Sequence, residues 1–170
     1  MAVNKNLVNF KFKKVRKVKS PSRGTLYSAG LDFYIPDDYN PSDLVIGPHK
    51  DILIHSGICL DMMCQPIVLL AANKSGVAVS HLAKSKAGVK GRSSKGACVV
   101  GACVVDSDFQ GEIMLHIINT SSHYVRFSPG DKISQFICLP LCSVELIETE
   151  SVFETPTERS NGMMGSTGTK

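Results

Sequence analysis

Short apolar runs, separated by glycine, proline, asparagine and serine, recur along the whole chain. In some of them apolar and polar positions alternate, as at Val8, Phe10 and Phe12, and this period of two predicts strands with one buried face. The lysines on the other face of this first run suit an edge strand. Further strands are predicted over residues 52–54, 58–60, 67–72, 97–105, 113–117, 133–141 and 144–147. So many short strands with turn signals between them predict an all-β sandwich or barrel.

Three segments differ from this alternating pattern. The run 97–105 is continuously apolar, which is typical of a strand buried on both faces. Residues 77–86 alone resemble a helix, and it would be short. The segment 155–170 is rich in glycine, serine and threonine. It is either a loose tail or an arm whose backbone N–H groups surround phosphates. We therefore predict a β domain over 1–154 and an arm over 155–170.

Length and cysteine usage narrow the class of protein. A chain of 170 residues suits one domain with a sizeable core. Its six cysteines form no Cys-x-x-Cys pair, which argues against a zinc site and for reduced side chains packed in the core. No apolar stretch is long enough to span a bilayer, and the lysine-rich start does not resemble a secretory signal. We expect an intracellular protein, cytoplasmic or nuclear, or located inside the host cell if it is viral.

The net charge of +4 is modest, and much of it lies in the lysines of 11–19 and 84–95. A basic balance can attract nucleic acid or a polyphosphate. Few aromatic residues interleave with these lysines, so a small molecule that carries phosphates fits at least as well. Neither nucleic acid nor a membrane is expected as a partner.

The segment from Gly101 to Glu112 has the most suggestive chemistry. Small and apolar residues lead into Asp106-Ser107-Asp108, followed by Phe109 and Gly111. A carboxylate held at the end of a buried strand can position a water, accept a proton or bind a metal. The alternative is a strand followed by an ordinary acidic turn.

Five local patterns, taken in order, resemble the motifs of the trimeric dUTP pyrophosphatase (dUTPase) family. They lie at residues 28–34, 73–78, 106–111, 130–135 and 159–168. The second and fifth patterns diverge. Lys74 stands where the family has arginine, and the fifth lacks two of the family's glycines and has Met164 in place of a phenylalanine.

The resemblance implies a distorted jelly-roll, or β-clip barrel, with one short helix. It also implies a homotrimer whose C-terminal arm is exchanged between subunits and whose active sites lie between them. The implied activity is hydrolysis of dUTP to dUMP and pyrophosphate, a step of nucleotide metabolism that supplies dUMP. Magnesium would be bound mainly by the triphosphate of the substrate. The divergent motifs keep an alternative open, a protein of this fold that binds a nucleotide or a partner with weak or no turnover.

Residue roles follow from the same resemblance. Asp106 would be the general base for attack of water on the α-phosphate. Asp32 would hold magnesium through water, with no direct protein ligand. Phe109 would pack under the deoxyribose, although core packing is an equal alternative, and Met164 would cover the base. The implied nucleotide-binding and phosphate-binding residues are Lys74, Ser75, Gly76, Gln135, Arg159, Gly165, Ser166 and Thr167.

Overall fold

The computed structural model describes residues 8–78, 98–101, 103–150 and 157. Its strands are β1 Lys11–Lys14, β2 Ser22–Arg23, β3 Gly30–Tyr34, β4 Val45–Ile46, β5 Asp51–Asp61, β6 Ile67–Ala72, β7 Cys98–Val100, β8 Val104–Asp106, β9 Glu112–Asn119, β10 Val125–Arg126 and β11 Lys132–Pro140. A 3-10 helix covers Pro41–Leu44, and the short helix α1 covers Ser75–Ala78. No helix in these ranges is long and apolar enough to cross a membrane.

The strands form antiparallel sheets, which confirms the predicted all-β class. A four-stranded sheet has the order β1-β5-β9-β7, a five-stranded sheet has the order β2-β3-β11-β6-β8, and β10 pairs with β4. Side chains from both larger sheets share one core. Phe33 and Phe136 meet there edge to face, with ring centroids 4.9 Å apart. The five-stranded sheet carries Asp32, Gln135 and Asp106, three of the predicted site residues.

The alternation at residues 113–117 predicted its strand well. Ile113, Leu115 and Ile117 are buried, and the residues between them face outward along β9. The predicted strand 67–72 is β6, and 133–141 corresponds to β11 with shifts of one residue. A period of two gives a clear signal wherever one face of a strand packs on the core.

The prediction of one doubly buried strand over 97–105 is wrong. The segment forms β7 in the four-stranded sheet and β8 in the five-stranded sheet, and the Val104 side chain is 57 % exposed. Between them the backbone N–H of Gly101 donates to the His116 carbonyl, and a Cβ on this glycine would overlap the His116 ring. A continuous apolar run has the same sequence pattern whether it forms one buried strand or two short strands in different sheets.

Four smaller predictions also need correction. The runs 52–54 and 58–60 belong to one strand, β5, whose register shifts around Gly57 at φ +73°. The first strand begins only at Lys11, and all four of its residues are exposed. Residues 144–147 form no strand, and their apolar side chains face solvent. The helix begins at Ser75 rather than at residue 77, and the predicted continuation from 79 to 86, like the arm 155–170 apart from Thr157, lies outside the described residues.

Candidate functional site

The turn that follows β6 carries the second motif, and hydrogen bonds from two neighbouring strands hold its first residue, Asn73. The Gln135 amide, from β11, donates to the Asn73 carbonyl at 2.8 Å. On the other side, the backbone N–H of Val100 donates to the Asn73 side-chain oxygen at 2.7 Å. The Lys74 carbonyl then accepts the first hydrogen bonds of α1, which begins at Ser75. The turn therefore holds Lys74 and Ser75 in a defined place at the end of the sheet.

Gly30 of the first motif makes room for Gln135. A Cβ at position 30 would overlap the Gln135 side-chain amide. Gln135 lies opposite Asp32 on β3 and opposite Ala72 on β6, so its side chain is central to this end of the sheet. The glycine lets the glutamine lie close against β3 while it reaches the Asn73 carbonyl.

Asp32 is buried between two lysines. Its side chain is 4 % exposed, and its two oxygens accept hydrogen bonds from Lys74 Nζ at 2.8 Å and from Lys132 Nζ at 3.0 Å. Burial alone would raise the pKa of the Asp32 carboxyl, but the hydrogen bonds and charges of the two lysines outweigh it and lower this pKa. The hydrogen bond with Asp32 in turn raises the pKa of Lys132. The cluster is charged and carries one net positive charge.

These residues do not fit a protein-held magnesium site. In the described ranges no three histidine, cysteine, aspartate or glutamate side chains come together as metal ligands. Magnesium requires oxygen ligands, and both oxygens of Asp32 already face ammonium groups. That Asp32 holds magnesium through water stays a prediction.

Asp106 lies at the end of β8, where a turn begins. The Phe109 N–H donates to the Asp106 carbonyl at 3.1 Å, which closes the turn. The Asp106 carboxylate is exposed and has no hydrogen-bond partner among the described residues. It is therefore open to a ligand or a water.

The Phe109 ring folds back over Gly111. A Cβ at position 111 would lie 2.5 Å from the tip of the ring, so a larger residue there would push the ring aside. Phe109 is 45 % exposed, which excludes the alternative that it packs in the core of this chain. An exposed ring on a glycine next to a free carboxylate can pack against a ligand.

The structure does not bring Asp106 and the Lys74 turn together. Asp106 lies opposite Val68 on β6, whereas Gln135 lies opposite Ala72, four residues further along the same strand. At about 3.3 Å per residue and about 4.8 Å between strands, the backbones of Asp106 and Gln135 are about 16 Å apart.

An apolar row fills the space between these two groups. Leu70, Val104 and Ile137 lie side by side on the same face of the sheet. Leu70 is 36 % exposed and Val104 is 57 % exposed. A phosphate chain would have to lie on this apolar surface to reach both groups, so within one chain the two groups are separate.

The remaining predicted site residues are Arg159, Met164, Gly165, Ser166 and Thr167, and all of them lie outside the described residues. Sequence reasoning assigned no role to Lys132, which the structure places on Asp32. Lys132 occupies the arginine position of the fourth motif, as Lys74 occupies that of the second. This parallel replacement of two arginines by lysines was the one sign in the sequence that Lys132 and Lys74 belong together.

Comparisons with known proteins identify relatives in sequence and solved structures of the same fold. A family model described as dUTPase matches residues 79–168. The deoxyuridine 5'-triphosphate nucleotidohydrolase of Anaplasma marginale is 33 % identical over 150 residues, which are 88 % of each chain. The dUTPase of Staphylococcus bacteriophage 80alpha with dUPNHPP has a TM-score of 0.73 at 19 % identity, covering 94 % of this chain and 98 % of that one. A mutant dUTPase from phage phi11 of Staphylococcus aureus, whose structure reveals the coordination of a structural Mg(II) ion, has a TM-score of 0.64 at 17 % identity, with coverage of 86 % of this chain and 99 % of that one. The two solved structures share the jelly-roll type of fold predicted above.

Proposed function

The chain belongs to the dUTPase family, and from this premise we propose that it hydrolyses dUTP to dUMP and pyrophosphate. One observation carries the proposal. In a chain of this family, the exposed carboxylate of Asp106 lies at the end of β8, and a hydrogen-bonded turn that carries Lys74 follows the end of β6. The first group suits activation of a water, and the second suits a phosphate chain.

The proposed reaction is an in-line displacement at the α-phosphate. The Asp106 carboxylate accepts a proton from a water whose oxygen bonds to the α-phosphorus. The bond from that phosphorus to the oxygen bridging to the β-phosphate breaks, and pyrophosphate leaves with its electron pair. The substrate is the magnesium complex of dUTP, with the metal bound mainly by the triphosphate.

The other residues bind and orient the nucleotide. Lys74 and the Ser75 hydroxyl donate to the phosphate chain, and Gln135 and Gly76 complete this turn. Phe109 packs under the deoxyribose, where its exposed ring leaves no room for a 2′-hydroxyl. From the arm, Arg159, Gly165, Ser166 and Thr167 contact the phosphates, and Met164 covers the base.

We propose that the protein is a homotrimer with active sites between subunits. The separation of Asp106 from the Lys74 turn supports this, because a second copy is needed to bring the two halves together. Exposed apolar side chains such as Val104 and Leu146 support it further, since Leu146 is 92 % exposed in the single chain. The arm 155–170 would complete the site of another subunit, and the protein would act inside the cell, in the cytoplasm or nucleus.

Release of pyrophosphate from each of the deoxynucleoside triphosphates, measured with magnesium, tests the proposal. Turnover of dUTP should be strongly preferred, and Asp106→Asn should lower it by about 10²–10⁴-fold, the usual effect of losing a positioned base. Binding of dUTP to Asp106→Asn should persist. Wild-type protein that binds dUTP without releasing pyrophosphate would favour the alternative, a nucleotide-binding protein of this fold.

A further inference from the structure

The turn that carries Asp106 and Phe109 crosses from one large sheet to the other. Asp106 ends β8 in the five-stranded sheet, and Glu112 begins β9 in the four-stranded sheet. The two ends of the turn are therefore held by different sheets. Where Asp106 and Phe109 lie depends on how firmly the Glu112 end is attached.

The pairing of β5 with β9 is irregular at the point where Glu112 joins the sheet. Regular pairing stops at His55 and resumes at Cys59, which lies opposite Glu112. Between these two points β5 has extra residues, and Gly57 adopts φ +73°. The Gly57 N–H donates to a side-chain oxygen, Glu112 Oε1, at 2.6 Å. A side chain thus connects the two strands where their backbone register shifts.

The second carboxylate oxygen of Glu112 holds His55. His55 Nδ1 lies 3.0 Å from Glu112 Oε2 and donates to it, because a carboxylate only accepts. The backbone N–H of His55 donates to the Tyr39 hydroxyl at 2.8 Å, and Arg16 Cζ lies 4.6 Å from the centroid of the Tyr39 ring. The Glu112 side chain is 22 % exposed. Two positions of β5 therefore fix this side chain and the start of β9.

Contacts run without a gap from Glu112 to Asp106. Glu112 directly follows Gly111, against which the Phe109 ring packs so closely that a Cβ at position 111 would overlap it. The Phe109 N–H in turn donates to the Asp106 carbonyl at 3.1 Å. If Glu112 lost its hold on β5, Gly111 would be free to shift, and the ring and the turn would shift with it.

We propose that Glu112 is a positioning residue for the hydrolysis of dUTP. It touches neither the substrate nor the reacting atoms, and it acts by holding the Phe109 ring and the Asp106 carboxylate in place. The inference rests on the proposed function, which gives these two groups their roles. A displacement of about 1 Å at reacting groups can lower a rate by about 10²-fold, so a hydrogen bond outside the site can matter this much.

Kinetics of Glu112→Ala with dUTP and with UTP test the proposal. The kcat for dUTP should fall at least about 10-fold. Because the Phe109 ring is proposed to exclude a 2′-hydroxyl, the ratio of kcat/KM for dUTP to that for UTP should fall as well. Partial unfolding would lower both values equally and leave this ratio unchanged, so an unchanged ratio overturns the proposal.

Glu112→Gln should rescue the activity, because it keeps an acceptor oxygen for the Gly57 N–H. A neutral hydrogen bond is about half as strong as a charged one, and we expect kcat within about threefold of wild type. If Glu112→Gln were as impaired as Glu112→Ala, the negative charge rather than the hold on Gly57 would be responsible, against the proposal.

Asp51→Ala is the matched control, because the same two strands carry a second histidine–carboxylate pair. His116 Nε2 lies 2.8 Å from Asp51 Oδ2. Asp51 pairs with Ile118, about 20 Å along β9 from Glu112 at about 3.4 Å per residue. Asp51→Ala should leave kcat within about twofold of wild type, since exposed pairs contribute little, and should leave the selectivity for dUTP over UTP unchanged. Equal losses for Asp51→Ala and Glu112→Ala would mean that general stability of the sheet is responsible, and the proposal would fail.

Amide hydrogen exchange, followed by NMR, needs no activity and covers the case in which a variant does not fold. In the wild-type protein the Gly57 N–H should exchange slowly, because Glu112 holds it, and fast exchange there overturns the proposal without any variant. In Glu112→Ala the N–H groups of Gly57 and Phe109 should exchange at least about 10-fold faster, as the loss of a charged hydrogen bond implies. In Asp51→Ala both rates should stay unchanged.

The two readouts separate this inference from the proposed function. A protein whose Gly57 and Phe109 amides respond as expected but which does not hydrolyse dUTP would refute the proposed function and leave the hold of Glu112 on the turn standing. Hydrolysis of dUTP with wild-type kcat and selectivity in Glu112→Ala would refute this inference alone.

Discussion

Mixing two inactive variants tests whether the two halves of the site come from different chains. The first variant is Asp106→Asn, and the second combines Lys74→Met with Ser75→Ala. In one chain these groups lie at opposite ends of β6, with about 16 Å between the backbones of Asp106 and Gln135. If each site takes Asp106 from one subunit and the Lys74 turn from another, a mixed trimer contains sites in which both halves are intact.

The expected recovery follows from random assembly. In an equal mixture, a site draws an intact Asp106 half of the time and an intact turn half of the time, so about one quarter of sites are complete. Parent trimers with Asp106→Asn retain at most about 1 % of wild-type turnover. The mixture should therefore be at least about 25 times more active than this parent.

The assay is pyrophosphate release from dUTP after the two purified variants are unfolded together and refolded, with each variant refolded alone as a blank. A mixture of Asp106→Asn with Asp106→Ala is the matched control, and it should recover nothing because no chain supplies the carboxylate. If the complementary mixture is no more active than the sum of its parents while trimers do form, both halves of the site act within one chain and the shared-site model fails.

Three further predictions concern single features. Deleting 155–170 should leave thermal unfolding nearly unchanged but lower dUTP turnover at least about 10-fold, and full activity would return this segment to a loose tail. Gly30→Ala should displace Gln135, lower stability by about 1–3 kcal/mol and raise KM for dUTP, whereas Gly24→Ala, where a Cβ meets only ordinary contacts, should change neither. Burial alone would raise the pKa of Asp32, but its two lysines outweigh burial and lower this pKa below the ordinary value of 3.8. The stability from this carboxylate is therefore complete above that value and is lost as the pH falls through the folded pKa. As the pH falls through this acid range, the melting temperature of the wild type should fall more steeply than that of Asp32→Asn. Equal slopes for the two proteins would contradict this account.

The sequence predicts those parts of the fold that leave a local pattern of apolar and polar residues, and it does not predict those that depend on contacts between distant segments. The alternation at Ile113, Leu115 and Ile117 is a local consequence of burying one face, so β9 could be read directly. The change of sheet at Gly101 could not, because it depends on where the His116 ring lies in another strand. Likewise, residues 144–147 have the composition of a strand but pair with no strand in the part of the chain that the structure describes.

The same distinction applies to the site. Asp106 and Ser75 could be proposed from motifs that are contiguous in sequence. The contact between Lys132 and Asp32 spans 100 positions, and it forms only because β11 pairs with β3 in one particular register. The first and fourth motifs contain Asp32 and Lys132, but a comparison of separate motifs does not show that the two side chains form one ion cluster.

Topology explains why two motifs that are close in sequence must lie far apart in space. The Lys74 turn and Asp106 each occupy the carboxyl end of a strand, and these strands, β6 and β8, are antiparallel neighbours. Antiparallel pairing puts the carboxyl end of one strand beside the amino end of the other. The two motifs therefore lie at opposite ends of these strands, whatever rotamers their side chains adopt. No movement of a loop within one chain can reverse that order, so if both motifs act on one phosphate chain, a second copy of the chain must supply one of them.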